Sequence, residues 1–253
     1  MQADQIHAAA HILATRRLKG EQGPVLPESC RPHDLDTALA IQGAVAAQMG
    51  QAIGGWKCAL PSEGKLVVAP IYAPTIHTLS PCTVWARSGK TRIEPEIAFL
   101  LGKDLPARDQ PYTPAEVDTA IAASHLALEL IDSRYAPEAG NLFPDNLADG
   151  LVNQGLYIGP ELDANIAAQL NEFELTLEVV GETQQRPARH PDGLPRRPLY
   201  WLAEWLRSRD QGLKAGQWVI TGSYAGAVVV PVGVRLRVKF GGVGVLSVCF
   251  EEK

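Results

Sequence analysis

The sequence predicts an α+β fold, with a helical N-terminal third followed by a β-rich core that carries two or three helices. Apolar residues recur at helical spacing between Ala3 and Met49. Strand-length runs, alternating or wholly apolar, dominate from Ile93 onward. Glycine turns then punctuate residues 217 to 250. A chain of 253 residues is long enough to bury a core without disulfides or a structural metal.

Ile6, Ala9, Ala10 and Leu13 predict a helix from Ala3 to Leu18, which Gly20, Gly23, Pro24 and Pro27 bring to an end. Asp34 or Asp36 can cap a second helix through Leu39, Ile41, Val45 and Met49, closed by Gly50. Gly54-Gly55 turns into a short strand from Trp56 to Leu60. Pro61, Pro70, Pro74 and Pro81 mark a loop or lid-like excursion, although Val67, Val68, Ile71 and Tyr72 run through it. Ile93 to Gly102 reads as a strand. Thr113-Pro-Ala-Glu116 has capping-box spacing for a helix to Ser124, and His125 to Ile131 is a largely apolar strand. Asn171 to Val180 alternates, with Phe173, Leu175, Leu177 and Val179 on one face. Pro198 to Arg209 is an amphipathic helix, and the strands after residue 217 turn at Gly222, Gly226, Gly233 and Gly241-Gly242-Val-Gly244.

Composition narrows the class of function. Hydrophobic residues make up 46% of the chain and charged residues 20%, as in soluble globular proteins. The net charge is −5 and no basic run exceeds a pair, which argues against a nucleic-acid partner. No apolar run approaches the ~18 residues of a membrane span. His7, His11, Arg16 and Arg17 among the first residues are unlike a secretory leader, so the cytoplasm is the expected location. Cys30, Cys58, Cys82 and Cys249 are widely spaced, which predicts reduced, packed thiols rather than zinc ligands or disulfides.

The chemistry-bearing segment is Arg92-Ile-Glu-Pro-Glu-Ile-Ala-Phe-Leu-Leu101. In a strand Glu94 and Glu96 share a face, while Pro95 points away and marks an edge or a bulge. Glu129 interrupts the apolar run His125-Leu-Ala-Leu-Glu-Leu-Ile131. Buried carboxylates are costly unless paired, and convergence would raise their pKa values further. A divalent cation removes that cost, and an all-oxygen ligand set suits magnesium, manganese or calcium. Solvated glutamates on a strand face are the alternative that spacing alone leaves open.

Several segments resemble the fumarylacetoacetate hydrolase superfamily. Arg92 to Leu105 (RIEPEIAFLLGKDL) is similar to its metal-binding strand, and His125 to Tyr135 (HLALELIDSRY) to its second ligand strand. Asp145-Asn-Leu-Ala-Asp149 matches a D-N-x-A-D segment; Leu213 to Ser223 and Phe240 to Gly244 resemble the closing strands. Their order fits the 2-keto-4-pentenoate hydratase and 4-oxalocrotonate decarboxylase branch. The resemblance implies a mixed β-roll or barrel-like core with a helical N-terminal portion. Residues 1–253 are expected to form one catalytic unit, with 1–85 as the helical portion and loop and 86–253 as the metal-binding core.

The resemblance further implies Mg2+, or Mn2+, on Glu94, Glu96 and Glu129, chelated by the carboxylate and 2-oxo oxygen of a small enoic acid. Gly55-Trp-Lys57 matches a G-x-K motif, which makes Lys57 the expected base or proton shuttle, with a pKa that nearby charge and an apolar pocket can lower. Asp149 is expected to orient water or the lysine, with Asp145 beside it in the same segment. Ser62, Arg134 and Ser223 are candidate substrate contacts. The implied activity is hydration of a 2-hydroxy-2,4-dienoate such as 2-hydroxypenta-2,4-dienoate, in aromatic-compound breakdown. Decarboxylation of 4-oxalocrotonate, hydrolysis of an acylpyruvate C–C bond and a catalytically silent structural partner stand as alternatives. A homo-oligomer is implied, with association to a related decarboxylase or hydratase as a further expectation. The run Lys57-Cys-Ala-Leu-Pro-Ser62 departs from the K-x-G-x-T-S pattern at Ala59 and Pro61, beside the expected pocket. His33 is a weaker catalytic candidate by analogy with the hydrolases. His125 reads as a packed strand-end residue, and Trp201 with Trp205 as one helix face.

Overall fold

The computed structural model describes all residues 1–253. Helix α1 (Ala3–Lys19) ends at Gly20 in the left-handed conformation. Helix α2 (Leu35–Met49) starts at Asp34, whose side chain accepts a hydrogen bond from the Thr37 N–H, and ends at left-handed Gly50. These helices pack with α4 (Phe143–Ala148) around Leu13, Ile41, Val45 and Leu147.

The chain then builds two sheets. Strand β1 (Ile53–Cys58) is followed by β2 (Val68–Tyr72), β3 (Ile76–His77) and β4 (Cys82–Val84). The stretch expected as a loop thus supplies two strands of the larger sheet and one of the smaller. Val68, Ala69, Ile71 and Tyr72 of β2 are buried, and Pro70 is tolerated because β2 is an edge strand. Strand β5 (Lys90–Leu101) pairs with β6 (Ile121–Ile131), which pairs with β7 (Asn153–Leu162). Helix α3 (Pro114–Ala120) has the expected Thr113–Glu116 capping box. It stops at Ala120 rather than Ser124, because Ile121 and Ala123 are taken up in pairing with Leu101 and Leu100 of β5. Helix α5 (Ala164–Gln169) leads to β8 (Glu172–Val179) and β9 (Glu182–Arg189), followed by α6 (Arg196–Arg207). Strands β10 (Trp218–Ile220), β11 (Val228–Pro231), β12 (Arg235–Phe240) and β13 (Gly244–Glu252) complete the chain.

The larger sheet has eight strands in the order β2-β1-β10-β5-β6-β7-β3, with β11 also paired to β5. The second sheet has the order β4-β13-β12-β8-β9. Strand β9 was not legible from the sequence: its residues are mostly polar, and Pro187 fits only because β9 is an edge.

The main core lies between the sheets. Ile93, Ile97 and Phe99 of β5 and Leu126, Leu128 and Leu130 of β6 meet Val238, Phe240 and Leu246 there. Alternation along the strands sends Glu94, Glu96, Ala127 and Glu129 to the opposite face. Strand β5 is unpaired by β10 and β11 between Ile93 and Ala98, since β11 reaches only Ile93 and β10 only Ala98. Pro95 sits in that gap, where its carbonyl accepts from the Tyr224 N–H at 3.0 Å. The break in pairing expected at Pro95 is therefore a gap in the middle of the sheet.

Candidate metal and catalytic site

Glu94 and Glu129 are direct cross-strand partners, and Glu96 lies opposite Ala127. The three glutamates each offer a carboxylate oxygen, and these oxygens all lie within 4.8 Å of one another. Glu129 is fully buried and Glu96 nearly so, while Glu94 is half-buried. Lys57 reaches the cluster from β1, with Nζ donating to Glu129 Oε1 at 2.6 Å, Glu129 Oε2 at 2.8 Å and the Leu151 carbonyl at 3.3 Å. Asn153 Nδ2 donates to Glu129 Oε1 at 2.9 Å, and the Gly222 N–H donates to Glu96 Oε2 at 2.7 Å.

Ionised, the three carboxylates and the one ammonium leave a net charge of −2 in a buried place. Burial and the charge of Glu129 push Glu94 up to about 7. The same two causes, with the charge of Glu94, push Glu96 well up. Burial works against the Lys57 ammonium, but the charges of Glu129 and Glu94 outweigh it, so the Lys57 pKa is raised rather than lowered. A nearby dication acts in the opposite sense. The donor set consists of hard oxygens, and its excess charge matches one divalent cation, so the residues present fit such an ion.

The surrounding backbone is built for these contacts. Strand β10 ends at Ile220, and Gly222, at φ 129°, turns its N–H toward Glu96. A side chain at 222 would be strained at that φ, and its Cβ would meet Pro191 Cγ at 2.9 Å. Gly150, Leu151 and Val152 lie at φ 76°, 53° and 59°, a left-handed turn that brings the Leu151 carbonyl to Lys57. Such backbone is costly for leucine and more so for β-branched valine, and it persists only where surrounding contacts hold it. Arg17 of α1 supplies two of these contacts, donating to the carbonyls of Asp149 at 2.6 Å and Asn153 at 2.7 Å.

The remaining candidates take other places. Asp149 and Arg134 bind each other, Arg134 Nε donating to Asp149 Oδ1 at 2.6 Å, and both are buried. Asp132, two residues before Arg134, holds Arg87 through two hydrogen bonds. Asp145 pairs with Arg31. Ser62 is on an exposed turn closed by backbone hydrogen bonds with Lys65. Ser223 Oγ donates to the Gly226 carbonyl at 3.3 Å and accepts from the Ala225 N–H at 3.4 Å, so it closes its own turn. His33 lies at the surface beside Glu28, and His125 bonds the Gly159 carbonyl and packs edge-on to Trp218. Asn153, Arg17 and the Leu151 carbonyl were not singled out from sequence. An asparagine at a strand start and a carbonyl carry no residue-type signal, and Arg17 entered only as one of the N-terminal charges unlike a secretory leader. Next to the departure from the family pattern, the Leu60 N–H donates to Asp192 Oδ2 at 2.9 Å, which docks residues 59–60 on the segment ahead of α6.

Comparison with known proteins places this arrangement. The family model for the fumarylacetoacetate (FAA) hydrolase C-terminal matches residues 52–251. A 4-oxalocrotonate decarboxylase from Pseudomonas sp is 31% identical over 62% of this chain and 59% of its own length. A 2-keto-4-pentenoate hydratase from Dechloromonas aromatica (strain RCB) is 30% identical over 63% of this chain and 60% of its own length. The chain thus spans about three-fifths of these relatives where it aligns to them. A 2-oxo-hept-4-ene-1,7-dioate hydratase from Escherichia coli aligns over 95% of this chain and 97% of its own length at 28% identity. The solved 4-oxalocrotonate decarboxylase from Pseudomonas putida G7, complexed with magnesium and adipate, shares the fold with a TM-score of 0.81 at 19% identity, covering 99% of both chains. Fold, ordered motifs and family match agree, and the chain belongs to the fumarylacetoacetate hydrolase family.

Proposed function

We propose that the chain, acting as one catalytic unit, is a metal-dependent hydratase of a 2-hydroxy-2,4-dienoate such as 2-hydroxypenta-2,4-dienoate. The carrying observation is the buried Glu94–Glu129 rung with Glu96 beside it and Lys57 bonded to Glu129. Glu94, Glu96 and Glu129 would hold the ion, with Mg2+ the first choice and Mn2+ the second. Such an ion supplies Lewis acidity that polarises a 2-oxo group and draws in the adjacent carboxylate. Lys57 Nζ is the group that moves a proton on and off the substrate's carbon skeleton as the dienol becomes the 2-oxo form. Glu129 and the Leu151 carbonyl hold Lys57 in place for that task, and Asn153 in turn holds Glu129. Asp149 and Arg134 act through the 149–153 turn as positioning residues, and Ser62 and Ser223 stand as secondary substrate contacts. Water then adds across the remaining double bond, its hydroxyl going to the far carbon and its proton to the near one.

The test is turnover of 2-hydroxypenta-2,4-dienoate with magnesium, followed by loss of the diene absorbance. Chelator and Glu96→Ala should each abolish it, and full activity in chelator would refute the reading. Decarboxylation is the second reading, supported by the 31% identity to a 4-oxalocrotonate decarboxylase. Release of carbon dioxide from 4-oxalocrotonate without hydration would select it. The same family-based reading gives a cytoplasmic homo-oligomer that associates with a related decarboxylase or hydratase, and light scattering on the purified chain gives the assembly.

A further inference from the structure

The turn that brings the Leu151 carbonyl to Lys57 is gripped at both ends by Arg17, through the carbonyls of Asp149 and Asn153. The same arginine lines a cavity of about 230 Å³, to which β2 contributes Tyr72 and β7 contributes Gln154. The three glutamates and Lys57 take no part in its wall, so it is separate from the candidate metal site.

The charge of this cavity is one-sided. Arg17, Arg134 and Lys253 line it, and no aspartate or glutamate does. Behind the two arginines stands a single carboxylate, Asp149, which accepts from Arg134 Nε at 2.6 Å and lies 4.0 Å from Arg17 Nη2. Lys253 forms no salt bridge, and its Nζ lies 5.4 Å from the centre of the Trp85 ring. Counted with Asp149, the three cations leave a net charge of +2. The Arg17 side chain is only 10% exposed, and its Nε is buried with no hydrogen bond. Burial and the charge of Arg134 hold the Arg17 pKa down to about 10, as expected of a guanidinium short of counter-charge. Gln51 Oε1, in the same wall, is an acceptor that is also buried with no hydrogen bond. Buried polar atoms without partners are uncommon in folded proteins, and two of them share this wall with the surplus positive charge.

We propose that this cavity binds a small oxyanion of the hydrogen phosphate class, which steadies the 149–153 turn and, through it, Lys57. A dianion matches the charge of +2. Its oxygens accept from the guanidinium and ammonium groups, and its one hydroxyl is the donor that Gln51 Oε1 lacks. A bound dianion offsets the repulsion between Arg17 and Arg134, and so strengthens the hold of Arg17 on the carbonyls of Asp149 and Asn153. The site does not depend on which reaction the glutamate cluster supports.

The test is calorimetric titration of the chelator-treated chain with sodium phosphate, against sodium sulfate and sodium chloride at equal ionic strength. In chelator the glutamate cluster is negatively charged and repels anions, which leaves the cationic cavity as the place that is read. The native chain should bind one phosphate saturably, more tightly than sulfate, which has the charge but no hydroxyl. Lys253→Gln should weaken phosphate binding at least about tenfold, the usual worth of a charge-assisted hydrogen bond. Lys253→Arg keeps the charge and should bind as the native chain does, with thermal unfolding as the check that both variants fold. Phosphate should also slow hydrogen exchange at the amides of residues 149–153 in the native chain and much less in Lys253→Gln. Absence of saturable phosphate binding overturns the proposal, as does sulfate binding as tightly as phosphate. Unchanged affinity in Lys253→Gln, or equal loss in Lys253→Gln and Lys253→Arg, overturns the placement of the anion among these cations. Exchange in the turn that ignores bound phosphate overturns the link to Lys57.

Discussion

Replacing Lys57 by methionine tests the charge balance of the site most directly. Glu129 is fully buried, and both of its oxygens lie within 2.8 Å of Lys57 Nζ. Methionine keeps most of the volume and removes the ammonium. Glu129 is then left with Asn153 as its one side-chain donor and with Glu94 directly across the strand pair. Removing one partner of a buried, hydrogen-bonded ion pair costs about 3–5 kcal/mol. For a chain of this size each kcal/mol shifts the unfolding midpoint by about 2–4 °C, so a fall of roughly 10 °C is expected in chelator. Adding Glu129→Gln to Lys57→Met removes the stranded charge and should recover most of the loss. The two substitutions are therefore strongly non-additive. Magnesium should also recover part of the loss in the single variant, because a bound dication replaces the missing positive charge. Calorimetric unfolding of the native chain, both single variants and the double variant gives the cycle. A single variant as stable as the native chain, or a double variant no better than Lys57→Met, would refute the argument that Lys57 balances the buried carboxylates.

Three further outcomes follow from other parts of the molecule. Burial holds the His190 imidazole down to about 4, so the folded state favours its neutral form; its stabilising contribution is full above the ordinary value of 6.5 and is lost as pH falls through about 4, and urea midpoints of His190→Gln should fall less steeply across that window. Val180 stands at φ 47° and Gly181 at φ 82° in the turn joining β8 and β9, with Val180 75% exposed. Asparagine tolerates this left-handed position far better, so Val180→Asn should stabilise the chain by about 1 kcal/mol, read as a rise of the unfolding midpoint. Burial raises the thiol pKa of Cys30, Cys58 and Cys82, the last up to about 12, whereas Cys249 is partly exposed. A thiol reagent should therefore label Cys249 alone in the native protein and all four cysteines after unfolding.

Much of this architecture could be read before the fold was known, where local physics and tertiary context agree. The caps at Asp34, Gly50 and Thr113 act within a few residues of themselves, and each stands where the sequence put it. The side-by-side placement of Glu94 and Glu96 follows from strand alternation alone. Their meeting with Glu129 depends on the register of β5 against β6, a long-range property that only the family resemblance made expected. Other features had no local signal. Strand β9 is polar because it lies at an edge, and β2 hid among prolines for the same reason. Arg134 and Asp149 carry charges that suit a substrate, but they are spent on one another, and sequence gives no means of telling a paired charge from a free one. The Leu151 carbonyl reaches Lys57 because Leu151 and Val152 adopt backbone that neither residue prefers, so propensity points the other way.

The gap in β5 around Pro95 has a consequence for how this scaffold can change. Strands β10 and β11 each pair with one end of β5, and residues 221–227 cross the interval between them as a loop. That loop touches the carboxylate ladder through backbone groups, the Gly222 and Tyr224 amides, rather than through side chains. Gly222 and the buried Tyr224 are fixed, but beyond Tyr224 its side chains can be exchanged and its length altered while every rung between β5 and β6 stays in register. The part of the wall that can be rewritten is separate from the part that holds charge, which lets one ladder of glutamates persist while the substrate and the reaction beside it diverge.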